Sequence, residues 1–220
     1  MVREEQARKE IVEVGRRIYE KGFVAANDGN ISVRLTDSEI LTTPTGVSKG
    51  YMSPEMLVKV DLDGCKIAGD LNPSSELKMH LEVYRMRSDV NAVLHAHPPL
   101  ATAFAVAGHP LDKSVLPEII ITLGSIPLVK YGTPSTEEVP DNIRPHLEKH
   151  DALLLENHGV LTMGDDLFSA FYKMESVEHF AKISLYARFL GGEQELSPGE
   201  VEKLLKVREN MGIKGRHPDC

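Results

Sequence analysis

The stretch ALLLENHGVLTMG, residues 152–164, sets two apolar runs on either side of Asn157-His158-Gly159. Leucine- and valine-rich runs of this length, parted by a turn-forming triplet, read as a hairpin of two buried strands. Such a hairpin needs layers packed on it, and the rest of the chain offers both strands and helices. NDGNISVRL and EILTTPTG give strands 31–35 and 40–42 across the polar turn TDS, 57–61 continues the sheet into the turn DLDG, and 91–96 is another strand. Residues 114–130 alternate poorly, although IPLVKYG reads as a strand ending in a turn.

Helical spacing accounts for much of the remainder. Residues 3–21 carry Ile11, Val14, Ile18 and Tyr19 among charges, with Gly22 at the C-cap position. A second helix starts at NPSSELKMHLEVYRMR, marked by Pro73 and two serines, with Leu77, Leu81 and Tyr84 on one stripe. Further helices are expected at 99–107, 135–149, 165–190 and 197–207, and the polar segment 208–220 is expected to be a mobile tail. The order of elements indicates an α/β or α+β sandwich in a single domain, 1–220. A strict βαβ rhythm, a G-x-G-x-x-G and a P-loop are all missing, which removes the usual support for a nucleotide fold.

Charge and cysteine content narrow the function classes. A formal net charge of -8 disfavours binding to nucleic acid through a broad basic face, so an anionic ligand would have to be held locally. Cys65 and Cys220 are too few for a disulfide framework and fit a reducing cytoplasm. No run approaches the ~20 apolar residues of a membrane span, and no secretory leader is expected from MVREEQARKE.

AVLHAHP, residues 92–98, carries the clearest chemical signal. Residues i and i+2 of a strand share a face, so His95 and His97 project together. Two imidazoles on one side suit a divalent ion such as zinc, which in catalytic sites takes three protein ligands and leaves a position open. His158, beside Gly159 at the hairpin turn, is the best third ligand; it could equally be an ordinary core residue. His80, His109, His146, His150, His179 and His217 are read as ordinary structural or surface histidines.

Two polar stretches could hold an anion. Ser74 and Ser75 stand at an expected helix N-terminus, and Thr45-Gly46 offers a hydroxyl and an approachable backbone, with Asn30 as a further donor. Helix capping and a plain turn explain the same residues. Glu76 could complement the helix dipole or act as a general base beside the metal.

GNISVR, TPTG, PSSELKMH, VLHAHP and LLENHG occur in the order and spacing of class II sugar-phosphate aldolases, the family of the L-fuculose-phosphate aldolase type, which it shares with L-ribulose-5-phosphate 4-epimerase. The resemblance spans about residues 5–190. It implies a single α/β domain with a central, largely antiparallel sheet flanked by helices on both faces, in a homotetramer with active sites between subunits. It implies one Zn2+ per subunit on His95, His97 and His158, with Glu76 as catalytic carboxylate and as a fourth ligand when substrate is absent. The substrate phosphate would fall to Gly29, Asn30, Thr45, Gly46, Ser74 and Ser75.

Glu118 falls near where the family offers a tyrosine proton donor from the adjacent subunit, and no tyrosine stands nearby here. The implied activity is reversible cleavage of a ketose 1-phosphate, L-fuculose 1-phosphate or similar, to dihydroxyacetone phosphate and an aldehyde. A pentulose-phosphate 4-epimerase, a methylthioribulose-phosphate dehydratase and a non-catalytic adducin-type module are the alternatives on the same fold.

Overall fold

The structure is a computed structural model, and it describes residues 4–218. Residue 3 of the first expected helix and the last two residues of the expected tail, Cys220 among them, lie outside the described residues. Eight strands form one sheet: β1 (Asn30–Arg34), β2 (Glu39–Thr42), β3 (Val58–Asp61), β4 (Lys66–Ala68), β5 (Ala92–Ala96), β6 (Leu128–Val129), β7 (Ala152–Leu155) and β8 (Gly159–Gly164). Their order is β4-β3-β2-β1-β5-β8-β7-β6. Every neighbouring pair is antiparallel except β6 and β7.

The helices are α1 (Glu4–Glu20), α2 (Leu77–Met86), α3 (Pro99–Val106), α4 (Pro117–Thr122), α5 (Glu138–Ile143), α6 (Leu167–Phe189) and α7 (Pro198–Met211). Strand alternation sends neighbouring residues to opposite faces and so builds two cores. Leu94, Leu154 and Val160 pack with α1, α3 and α6 on one side. Val93, Leu153 and Leu161 pack with α2 and α5 on the other. The result is the expected α/β domain, a largely antiparallel sheet with helices on both faces. Among the described residues no helix is long and apolar enough to cross a membrane.

Several boundaries differ from the pattern-based expectation, each for a local reason. The helix expected over 135–149 is only α5 followed by a 3-10 turn at Arg144–His146, because Pro145 has no N–H to continue an α-helix. Strand β4 is exposed along its whole length and therefore lacks an apolar alternation to announce it. Residues 208–211, expected in the tail, continue α7, which ends on Gly212 in the left-handed region at φ 61°.

Beyond α7 the chain runs back along α4. Buried Arg208 donates to the carbonyls of Ile121 and Thr122 at 2.6 and 3.1 Å, and the His217 ring meets the carbonyl of Ile120. Arg216 N–H donates to Asp151 Oδ2 at 3.1 Å. Asp151, 3% exposed, also accepts from Arg87 at 2.8 Å and from Lys173 at 2.7 Å. This one carboxylate thus ties the start of β7 to α6 and to the C-terminal segment. Asp151→Ala would leave the buried Arg87 guanidinium with Asp89 as its one remaining carboxylate among the described residues, and a loss of about 3 kcal/mol is expected in urea unfolding.

Candidate metal centre and anion site

His95 sits near the end of β5, 0% exposed. Its Nδ1 lies 2.9 Å from the carbonyl of Val160 on β8. A carbonyl can only accept, so Nδ1 carries the proton and Nε2 keeps its lone pair for the cleft. His97 lies one residue past the strand end, where its N–H donates to the carbonyl of Phe23 at 2.8 Å, and it keeps the strand's facing. The two Nε2 atoms stand 3.1 Å apart. His158 is delivered by the β7–β8 turn, which Asn157 makes in the left-handed region at φ 54° and which closes through His158 N–H to the Leu155 carbonyl. One ligand atom from each of the three histidines falls within 4.8 Å of the others.

Ligands at about 2.0 to 2.1 Å around a tetrahedral ion are roughly 3.3 Å apart, so the observed cluster fits a small divalent cation. Gly159 makes room for it. A Cβ there would come within 2.5 Å of His97 Cδ2 and 2.6 Å of the Ala96 carbonyl oxygen, which are the ring and backbone of the HAH segment itself.

Glu76 occupies the N-cap position of α2, and Ser74 and Ser75 form the turn before it, not the helix's first turn. Its Oε1 is 3.0 Å from His158 Nε2 and its Oε2 is 3.6 Å from His95 Nε2. Burial alone would raise its pKa, but the surrounding imidazoles outweigh that and hold the carboxyl well below the usual carboxylate range. Burial also drives His95 well below its ordinary value. Neutral imidazole beside an ionised carboxylate is the donor set a cation requires.

A polar seam between β1 and α2 holds that carboxylate in place. Two residues of strand advance about 6.7 Å and four residues of helix 6.0 Å, so strand positions 30, 32 and 34 keep step with helix positions 76, 80 and 84. Asn30 Nδ2 donates to Glu76 Oε2 at 3.0 Å. Ser32 Oγ lies 2.7 Å from His80 Nδ1 and 2.9 Å from Tyr84 Oη. Arg34 donates to the Tyr84 carbonyl at 2.6 Å and covers the Tyr84 ring. His80 is therefore no surface histidine: it is wholly buried, and burial takes its pKa down to about 3. The i, i+4 spacing from Glu76, set against alternating 30, 32 and 34, is the signal by which His80 and Ser32 could have been found.

Two of the segments that carry the anion-binding candidates also pair. Pro44 and Pro73 form an isolated antiparallel bridge, flanked by Thr45 N–H to Asn72 carbonyl at 3.0 Å and Ser74 N–H to Thr43 carbonyl at 3.2 Å. This pairing sets Thr45 opposite Asn72 and Ser74 opposite Thr43, so that Thr45 and Ser74 flank the bridge on either side. Gly29, at φ +74°, packs against the histidine strand, since a Cβ there would stand 2.9 Å from the His95 carbonyl oxygen. Glu118 is not brought into the cluster: it is exposed on α4, and among the described residues no hydrogen bond or ion pair links its carboxylate to the histidines.

The sequence model of the Class II Aldolase and Adducin N-terminal domain matches residues 9–185. The chain belongs to this family. It is 35% identical to the L-fuculose phosphate aldolase of Methanococcus maripaludis over 80% of this chain and 94% of that protein. It is also 32% identical to the 3-oxo-tetronate 4-phosphate decarboxylase of Escherichia coli K12, over 91% of this chain and 96% of that one. Among solved structures an L-fuculose 1-phosphate aldolase superimposes with TM-score 0.85 at 30% identity, covering 92% of this chain and 95% of the other. The L-fuculose-1-phosphate aldolase of Thermus thermophilus gives 0.73 at 32%, covering 86% and 100%. The chain is thus an enzyme of the class II aldolase family.

In this class II aldolase-family protein, Gly159→Ala should weaken the binding of added divalent cations roughly ten- to a hundredfold in chelator competition, because the added methyl displaces His97. His80 also makes stability depend on pH. Its folded pKa of about 3 lies below the ordinary 6.5, so between those values the unfolded chain takes up a proton that the native chain refuses. Stability from His80 is therefore complete above pH 6.5 and drains as pH falls toward 3. Urea unfolding should show about 2 kcal/mol of this loss between pH 6.5 and 5, absent from His80→Asn.

Proposed function

We propose that the protein is a divalent-metal-dependent aldolase that reversibly cleaves a ketose 1-phosphate of the L-fuculose 1-phosphate kind to dihydroxyacetone phosphate and an aldehyde. The convergence of His95, His97 and His158 on the Glu76 carboxylate carries this reading. It also disfavours an adducin-type module without chemistry. His95, His97 and His158 would hold Zn2+ or a similar ion, with Glu76 as a fourth donor before substrate arrives. When bound, such an ion supplies electrophilic stabilisation of negative charge on the substrate's carbonyl and hydroxyl oxygens.

This chain's own residues would do the rest. Thr45, Gly46, Ser74, Ser75, Asn30 and the Gly29 backbone hold the phosphate and thereby fix the three-carbon unit against the histidines. Cleavage passes the C3–C4 bond pair to C3 as the C4 hydroxyl gives up its proton. Glu76, ionised at rest, would remove a proton from C3 in the synthetic direction, and in cleavage it would return to C3 the proton that the C4 hydroxyl gives up, relayed to it directly or through solvent. Asn30 orients its carboxylate through the 3.0 Å hydrogen bond. Glu118, exposed on α4, would exchange the proton of the aldehyde oxygen from a neighbouring copy in a homotetramer.

The relatives named 3-oxo-tetronate 4-phosphate decarboxylase favour a second reading. Loss of CO2 from a four-carbon 3-oxo acid bearing a 4-phosphate sends the bond pair to the equivalent carbon and also leaves dihydroxyacetone phosphate. The second product separates the two reactions. Offered ketose 1-phosphates and a 3-oxo acid phosphate, the enzyme should release triose phosphate with an aldehyde and without CO2, and a chelator should abolish turnover. Release of CO2 alone would establish the decarboxylase. Glu76→Gln should stay folded and metal-loaded while turnover falls about 10²- to 10⁴-fold; near-normal turnover in that variant would remove Glu76 from the chemistry.

A further inference from the structure

Buried polar atoms without a partner gather round the site. Among the described residues they are Asn30 Oδ1, Ser48 Oγ, His80 Nε2, Thr102 Oγ1 and Ser184 Oγ, and the first three belong to or adjoin the segments described above. Ser48 follows the TPTG turn directly, and next to it stands Lys49, 1% exposed and among the largest fully buried side chains.

Lys49 Nζ donates to the carbonyls of Asn27 and Val47 at 2.9 and 2.7 Å. An ammonium has three donors, and both of these acceptors are neutral. Among the described residues no carboxylate forms an ion pair with it; Asp28 and Glu76 act on it only from farther off. A buried cation without a counter-ion is costly, and such charges normally find an anion. The two carbonyls it grips belong to the two segments that frame the anion site, 27–30 and 45–48. Its backbone is fixed from behind by α1, where Gly15 lets the helix approach: a Cβ there would stand 2.7 Å from the Lys49 carbonyl oxygen. Burial lowers the Lys49 pKa to about 8, so the ammonium still dominates at neutral pH.

We propose that Lys49 is the cationic element of the substrate-phosphate site: it clamps the 27–30 and 45–48 segments together and, with the Ser48 hydroxyl, sets a fixed positive charge beneath the phosphate dianion. In a chain of net charge -8 this local charge is what offsets the repulsion a dianion would otherwise meet. The inference rests on the phosphate reading of Thr45, Gly46, Ser74 and Ser75 given above. Lys49 is a positioning residue and takes no part in bond cleavage.

The test is calorimetric titration of inorganic phosphate into the zinc-loaded enzyme and its Lys49→Met, Lys49→Arg and Thr45→Ala variants, with folding checked by circular dichroism. Lys49→Met should weaken phosphate binding at least tenfold, and Lys49→Arg should stay within threefold of the parent. In turnover, Lys49→Met should raise KM for the phosphorylated ketose at least tenfold, and should lower kcat/KM more for the phosphorylated than for the unphosphorylated ketose. A folded Lys49→Met that binds phosphate normally, while Thr45→Ala does not, overturns the role of Lys49 and leaves the phosphate site standing. Parent-like binding in Thr45→Ala, or none in the parent, overturns the phosphate site itself and the inference with it. Should Lys49→Met fail to fold, amide shifts of residues 46–49 in the parent decide: perturbation on adding phosphate supports the proposal, and silence there overturns it.

Discussion

Two imidazole nitrogens 3.1 Å apart, those of His95 and His97, cannot both present bare lone pairs to each other. A proton or a cation must lie between them. The Val160 carbonyl claims the proton of His95 at Nδ1, so its Nε2 can only accept, and the Glu76 carboxylate, 3.0 Å from His158 Nε2, adds a further acceptor. The cluster is a concentration of electron pairs, held together by backbone constraints that leave it nowhere to relax. Much of the neighbouring structure serves that end: the hairpin turn at Asn157, the close approach at Gly159 and the meeting of β5 with β8 all fix where those nitrogens stand.

The carboxylate is fixed by different means. Glu76 stands at a helix end, where a chain is ordinarily free to fray, yet α2 is registered on β1 by side-chain hydrogen bonds at successive helical turns. A helix and a strand rarely keep step, and here 6.0 Å of one against about 6.7 Å of the other lets three polar rungs form before the mismatch grows. An aromatic hydroxyl, a serine and a histidine at low dielectric form a network whose partners are mutually dependent. Glu76 thereby gains the rigidity of the sheet without belonging to it.

What could be read from the residues alone follows the periodicities of the backbone. The pairing of His95 with His97 needs only the two-residue strand repeat, and the delivery of His158 needs only a hairpin with a tight turn. Both are local properties. Lys49 is not legible because nothing in KGY announces that a charged side chain will be sealed from water; that depends on α1, contributed from elsewhere in the chain, whereas His80 is marked only by its i, i+4 spacing from Glu76. Strand β4 escaped notice for the converse reason, being exposed throughout. The helix expected over 135–149 is cut short because Pro145 has no N–H for the next helical hydrogen bond, an effect confined to one turn. Ser74, Ser75 and Glu76 gain their place beside the cleft from a bridge between two prolines, an arrangement that no pattern in either segment foretells.

Asp151 joins parts of the molecule that are far apart in sequence: Arg87 after α2, Lys173 within α6 and the backbone of Arg216. Elements tied to one buried anion share a single opening event, since releasing any of them exposes the same charge to the same partners. The C-terminal segment and the entry to β7 should accordingly exchange their amide hydrogens in concert, and α4, gripped by Arg208, belongs to that same cooperative block.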